Sequence, residues 1–165
     1  MTDHNQLQTG MVQIYTGDGK GKTTAALGLA LRATGYGLDV VMLQFVKKLV
    51  CSEHVAAQKL ELPIIQADAH TPEACAAQIW DRAKSELARG VDVLIVDELG
   101  EAMRRGFITR ADVEDLLALK PDHTEIVFTG RGLLPLADLA DLVTEMVCHK
   151  HYFDEGLLAR KGIEY

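Results

Sequence analysis

Residues 12–24 read Val-Gln-Ile-Tyr-Thr-Gly-Asp-Gly-Lys-Gly-Lys-Thr-Thr, and they join a β-prone run to a glycine- and lysine-rich loop that opens an alanine-rich helical pattern. Gly17, Gly19 and Gly21 let backbone N–H groups crowd around an anion in conformations that larger residues avoid. The positive end of the following helix points at the same place. This order of strand, loop and helix predicts a phosphate-binding loop.

The side chains of this loop predict a bound nucleoside triphosphate with Mg²⁺. Lys22 brings a full positive charge to the outer phosphates, and Thr23 stands where such loops place a hydroxyl ligand for the metal. The common loop pattern begins with glycine, whereas this chain has Thr16 there. The alternative, a surface turn without a ligand, does not account for the strand, loop and helix order. The residues predicted to bind the nucleotide are Thr16, Gly17, Asp18, Gly19, Lys20, Gly21, Lys22, Thr23 and Thr24.

Size and composition predict one domain over residues 1–165, with a polar tail at residues 1–10. The chain has 165 residues, of which 48% are apolar and only 5% aromatic, and this suits a parallel sheet covered by helices on both faces. Its formal net charge of −7 disfavours nucleic acid as the main partner. The cysteines have no C-x-x-C spacing and no apolar run is long enough to cross a bilayer. We therefore expect a cytoplasmic protein without a membrane partner.

Strand-like runs alternate with helical patterns along the chain, which is typical of βαβ units. We predict a doubly wound, mostly parallel α/β sheet of about six strands in a P-loop architecture of the RecA-like kind. Ligands of such sheets bind beyond the carboxyl ends of the strands. The predicted strands are 12–16, 40–45, 62–66, 91–96, 126–129 and 142–146, and the predicted helices are 23–34, 72–89 and 113–119.

An acidic pair follows one of the buried strand patterns. Asp97 and Glu98 come directly after the run 91–96, as in a Walker B motif whose carboxylate reaches the Mg²⁺ held by Thr23. An ordinary acidic turn at a strand end is the alternative, but an upstream phosphate loop favours the metal-binding interpretation. Thr23, Asp97 and Glu98 are therefore the candidate metal ligands.

Two other strand ends carry candidate side chains. Arg131 lies between glycines directly after the run 126–129, where its guanidinium can pair with phosphate oxygens in a two-pronged geometry. Gln44 and Lys47 follow the second predicted strand. The alternatives are that Arg131 lies in a solvated turn and that residues 44–48 form an ordinary charged loop.

Two further features are interpreted as structural rather than functional. The stretch Cys148-His149-Lys150-His151 contains soft metal ligands, but no second cluster completes a tetrahedral site. Trp80 lies at helical spacing with small and aliphatic residues, which predicts a place in the core or at an interface.

Together these motifs resemble those of the P-loop type of ATP:corrinoid adenosyltransferases. That family transfers the 5′-deoxyadenosyl group of ATP to the cobalt of a reduced corrinoid and releases triphosphate, in adenosylcobalamin biosynthesis or salvage. The resemblance implies an enzyme with ATP and a reduced corrinoid as substrates, Mg²⁺ as cofactor and an electron-donating reductase as partner. A homodimer is expected. The matching segments are 16–26, 32–35, 40–47, 94–99, 129–131, 140–146, 150–151 and 161–165.

The resemblance also implies roles for particular side chains. Cobalt(I) attacks the ribose C5′, so the protein must stabilise the whole triphosphate as a leaving group. Lys22, Glu98 and Arg131 are the predicted catalytic residues, with Lys20 as a further cation near the phosphates.

One segment departs from the family pattern. Family members carry a Gly-Phe-x-Trp-like loop that helps displace the lower axial ligand of cobalt, whereas here residues 65–70 lead directly into Thr71 and Pro72. We therefore expect ATP binding to be retained and corrinoid handling to differ. Two alternatives remain open: a paralogue that binds ATP or a corrinoid without transferring anything, and a simple P-loop ATPase.

Overall fold

The computed structural model describes residues 6–45 and 51–164. The start of the predicted polar tail, Lys47 and Tyr165 lie outside this part of the chain. The strands are β1 Val12–Thr16, β2 Val40–Gln44, β3 Ile64–Gln66, β4 Val93–Asp97, β5 Glu125–Thr129 and β6 Leu142–Glu145. The helices are α1 Lys22–Tyr36, α2 Ser52–Lys59, α3 Pro72–Ala88, α4 Leu99–Arg104 and α5 Arg110–Ala118, with 3-10 helices at Leu134–Leu139 and Tyr152–Glu155.

The described strands form one parallel sheet in the order β3-β2-β4-β5-β1-β6. Strand β5 lies between β1, which leads into the phosphate loop, and β4, which ends at Asp97. Because all strands run the same way, their carboxyl ends meet at one edge of the sheet. The predicted α/β fold is confirmed, and the strand-end candidates Gln44, Asp97 and Arg131 lie along a common edge.

The sheet is buried on both faces, and its central strands are mostly apolar, with polar residues at their ends. Every residue of β2 and β4 is buried, as expected for parallel strands covered on both sides. Helices α3, α4 and α5 pack on one face, and α1 and α2 on the other. Trp80 lies in the core, with its ring centroid 6.3 Å from that of Phe45, which confirms the predicted core position.

Several element boundaries differ from the predicted ones. Helix α1 continues through Gly35 to Tyr36 and ends at Gly37, which adopts the left-handed conformation of a helix cap. Asp97 is the last residue of β4 rather than the first residue after it. Helix α2 was not predicted, because its sequence has little apolar periodicity and only Ala57 among its residues is buried.

Within the described ranges, 6–45 and 51–164, the helices are each too short or too polar to cross a membrane.

Candidate nucleotide site

The phosphate loop is held against the backbone that follows β6. The N–H of Gly19 donates to the carbonyl oxygen of Met146 at 2.7 Å. Gly17 has a φ of +96°, and a Cβ atom there would lie 2.4 Å from the same oxygen. A side chain at Gly17 is therefore excluded both by its backbone conformation and by this close approach. The loop glycines allow this packing as well as the predicted crowding of amides.

Lys22 lies folded over the loop at the start of α1. Its Nζ donates to the carbonyl oxygens of Gly17 and Gly19, both at 2.7 Å. The pKa of Lys22 is lowered mainly by partial burial and to a smaller extent by the guanidinium of Arg131. The carboxylate of Glu98 acts in the opposite direction. Several charged groups thus converge on the loop, and Lys22 and Arg131 line the same cavity.

Asp97 is the centre of a buried hydrogen-bond network at the edge of the sheet. Its Oδ1 accepts from the hydroxyls of Thr23 at 2.9 Å and Thr129 at 2.5 Å. Its Oδ2 accepts from the side-chain amide of Gln44 at 3.1 Å. The residue is 0% exposed. The network joins the carboxyl ends of β2, β4 and β5 to the first turn of α1, and it brings the predicted metal ligands Thr23 and Asp97 into direct contact.

The oxygen donors at this edge fit the chemistry of Mg²⁺, which prefers carboxylate and hydroxyl ligands. Glu98 follows Asp97 and lines the neighbouring cavity. Its φ of 61° lies in the left-handed region, which is strained for a glutamate. The N–H of Glu98 donates to the Thr129 hydroxyl at 3.1 Å and helps to hold this turn. Thr23, Asp97 and Glu98 thus form a suitable donor set, although their role as ligands stays a prediction.

A cavity of about 550 Å³ opens beside the loop, which is within the usual size range of small-molecule sites. Loop residues 18–24 line it together with Glu98 and Arg131. Gly162–Glu164 of the C-terminal segment form another part of its wall, and the Nζ of Lys20 donates to the carbonyl oxygen of Ile163 at 3.2 Å. The end of the chain therefore folds back onto the phosphate loop.

Arg131 reaches the cavity from the turn after β5. Its side chain is 74% exposed, and its Nε lies 3.9 Å from the Oδ1 of Asp18. The backbone of this turn packs tightly on α4, because a Cβ at Gly100 would lie 2.0 Å from the carbonyl oxygen of Arg131. The turn thus has a fixed backbone and a guanidinium able to turn toward a ligand.

Two of the predicted nucleotide-binding residues do not line the cavity. Thr16 is buried, and its Oγ1 accepts a hydrogen bond from the N–H of Leu133 at 3.0 Å. Gly17 contributes through the carbonyl that accepts from Lys22. Both residues therefore support the loop without lining the cavity. Thr16, which replaces the usual first glycine, connects β1 to the segment after β5.

The cavity is also lined by Ser52, Glu53 and His151, which were not predicted to belong to the site. Ser52 and Glu53 begin α2, whose weak periodicity left it unpredicted. His151 belongs to the stretch 148–151 that was assigned a structural role, although residues 150–151 match the family pattern, and its Nδ1 accepts from the N–H of Phe153. No local pattern connects these residues to the phosphate loop.

The first strand of the parallel sheet enters a glycine-rich loop and a helix, and an aspartate from another strand end contacts the first turn of that helix. This arrangement is the architecture of P-loop proteins. The model of the family described as ATP:corrinoid adenosyltransferase BtuR/CobO/CobP matches residues 8–165, and the chain belongs to this family.

Relatives of this chain carry the same description. The corrinoid adenosyltransferase CobA of Salmonella typhimurium is 35% identical over 174 residues, which cover 97% of this chain and 88% of that protein. The corrinoid adenosyltransferase of Escherichia coli strain K12 is 33% identical over 172 residues, with the same coverage. That of Pseudomonas aeruginosa is 32% identical over 176 residues, covering 96% of this chain and 85% of the relative. The family resemblance seen in the motifs is confirmed.

Proposed function

We propose that this chain transfers the 5′-deoxyadenosyl group of ATP to the cobalt of a reduced corrinoid and releases triphosphate. The family match over residues 8–165 and the named relatives support a transferase, and they disfavour the plain ATPase and the paralogue without activity. The structural observation that carries the proposal is the cavity in which the phosphate loop, Arg131 and the C-terminal segment meet. This cavity brings Lys20, Lys22 and Arg131 to the space proposed for a triphosphate, and its wall also contains the carboxylates of Asp18, Glu53, Glu98 and Glu164.

The proposed reaction is a displacement at the ribose carbon. Cobalt(I) supplies the electron pair for the new Co–C5′ bond, the C5′–O5′ bond breaks, and its electrons leave with the triphosphate. Lys20, Lys22 and Arg131 neutralise the negative charge that develops on the leaving group. Backbone amides at the start of α1 also stabilise this negative charge, because the first amides of a helix have no acceptor within the helix. The protein acts mainly by holding triphosphate.

Mg²⁺ belongs to the proposal as the cation bound with ATP. Thr23, Asp97 and Glu98 would hold it, and when bound it supplies further positive charge to the triphosphate. The hydroxyls of Thr23 and Thr129 and the amide of Gln44 keep the Asp97 carboxylate in one orientation. This preorganisation lowers the cost of arranging ligands when the nucleotide arrives.

The proposal also includes a cytoplasmic location and a reductase that supplies the electron for cobalt(I). Cys51, Cys75 and Cys148 all lie in the described part of the chain and none is in a disulfide, which fits a reducing compartment.

A homodimer completes the proposal. Strand β6 is at the edge of the sheet, all of its residues are exposed, and Leu142 and Val143 present apolar side chains there. We expect sedimentation analysis to find a species of twice the chain mass. A monomer at every concentration would contradict the dimer and leave the catalytic proposal standing.

The identity of the phosphate product tests the catalytic proposal directly. The protein is incubated with ATP, Mg²⁺ and a chemically reduced corrinoid, and the nucleotide products are separated while the corrinoid spectrum is followed. We expect equal amounts of triphosphate and of a light-sensitive Co–C product, because the bond that breaks is C5′–O5′. The matched control leaves out the corrinoid and should give neither product.

Two results would contradict the transferase. ADP without a Co–C product would indicate an ATPase. Tight ATP binding with neither product, under conditions that keep cobalt reduced, would indicate a binding protein.

A further inference from the structure

Asp97 is connected by hydrogen bonds to the beginning of α2. Gln44 donates through Nε2 to Asp97 Oδ2 at 3.1 Å, and its Oε1 lies 2.9 Å from His54 Nε2. Gln66 donates to the same Oε1 at 3.3 Å. The Nδ1 of His54 accepts from the N–H of Cys51 at 3.0 Å. Because Nδ1 is the acceptor, the proton of a neutral imidazole lies on Nε2, which then donates to Gln44.

The two ends of the Gln44 amide have nearly the same shape, so hydrogen bonds must decide which end faces Asp97. With the amide reversed, its oxygen would face the Asp97 carboxylate, and its NH₂ group would face the N–H donors of His54 and Gln66. Gln44 is 1% exposed, so water cannot satisfy the mismatched groups. The donor on His54 thus selects the orientation in which Gln44 donates to Asp97.

We propose that His54 is a positioning residue, which acts through Gln44 to orient the carboxylate of Asp97 for the cation bound with ATP. This inference rests on the proposed role of Asp97 as a metal ligand. The same connection joins the metal site to α2, whose first residues Ser52 and Glu53 line the nucleotide cavity.

The test measures ATP binding to the full chain by calorimetry across a series of Mg²⁺ concentrations and in EDTA. We expect His54→Ala to raise the Mg²⁺ concentration needed for half-maximal ATP binding by about three- to tenfold, the effect of one lost hydrogen bond. The ATP affinity in EDTA should equal that of the wild type, because the phosphate loop is intact. The control His123→Ala removes another half-buried imidazole, 3.2 Å from the Gly90 carbonyl at the opposite edge of the sheet, and should change neither value.

Gln44→Met completes a double-mutant cycle with His54→Ala. If His54 acts through Gln44, the two effects on the Mg²⁺ midpoint are not additive, and His54→Ala has no further effect in the Gln44→Met background. Additive effects, an unchanged midpoint in His54→Ala, or an equal loss of affinity in EDTA would overturn the positioning role. A wild-type protein whose ATP affinity does not depend on Mg²⁺ would overturn the metal role of Asp97 as well, so the two failures are distinguishable.

Discussion

Replacing Lys22 with alanine is expected to weaken ATP binding by roughly 30-fold, the equivalent of about 2 kcal/mol for a hydrogen bond between charged groups. The ammonium of Lys22 lies over the phosphate loop and contacts the carbonyls of Gly17 and Gly19. Its removal takes away both a charge for the outer phosphates and two contacts that shape the loop. Titration calorimetry of the variant with Mg²⁺ and ATP measures the loss.

Lys84→Ala is the matched control for this substitution. Lys84 is an exposed lysine of α3 that lies 3.6 Å from Asp81, so its removal should leave the ATP affinity unchanged. If Lys22→Ala binds ATP as tightly as the wild type does, the glycine loop is not the triphosphate site. A loss of affinity in both variants would indicate only a general effect of net charge.

Replacing Asp97 with asparagine is expected to lower turnover by a factor on the order of 10³ and to remove its dependence on Mg²⁺, since a metal supplies several kcal/mol of charge stabilisation. The substitution removes the buried carboxylate at the end of β4. It also replaces one oxygen acceptor with an NH₂ group, which cannot accept from its donors Thr23, Thr129 or Gln44. Turnover is measured as triphosphate released across a Mg²⁺ series.

Asp92→Asn provides the control, because Asp92 is also a buried aspartate beside β4. It lies at the opposite end of that strand, where its Oδ2 accepts from the N–H of Asp39 at 2.8 Å. We expect this variant to lose some stability but to keep the Mg²⁺ dependence of the wild type. An Asp97→Asn enzyme that still responds normally to Mg²⁺ would mean that the metal is held elsewhere.

Features with a local physical cause could be predicted from the sequence. A helix was predicted from residue 72, and the Thr71 hydroxyl caps it by accepting from the N–H of Ala74 at 3.2 Å at the start of α3. Thr109 and Asp112 form a capping box at the start of α5, the pattern that a Thr followed three residues later by an acidic residue indicates. Each of these signals acts within one turn of chain, so neighbouring residues are sufficient to show it.

The candidate site was predictable where it depends on the ends of strands. The rule that ligands bind at the carboxyl ends of parallel strands placed Asp97, Arg131 and Gln44 near the phosphate loop. The structure brings all three to the same edge of the sheet as Thr23. Their individual roles toward ATP and Mg²⁺ remain predictions that the substitutions above test.

The remaining parts of the site depend on contacts between residues far apart in the chain. Helix α2 has little apolar periodicity, so its position and the pairing of His54 with Gln44 come from packing against the sheet. The return of the C-terminal segment to Lys20 joins residues 143 positions apart. No pattern within a short window of sequence encodes such a contact.

The sequence by itself determined the parallel α/β fold, the phosphate loop of residues 16–24 and the family, because strand periodicity, glycine spacing and helix caps are local properties. The tertiary structure alone decided that Thr16 faces the core, that His54 reaches Asp97 through Gln44 and that Gly162–Glu164 line the nucleotide cavity. These arrangements follow from burial and from the need to pair buried polar groups, and both depend on the whole fold.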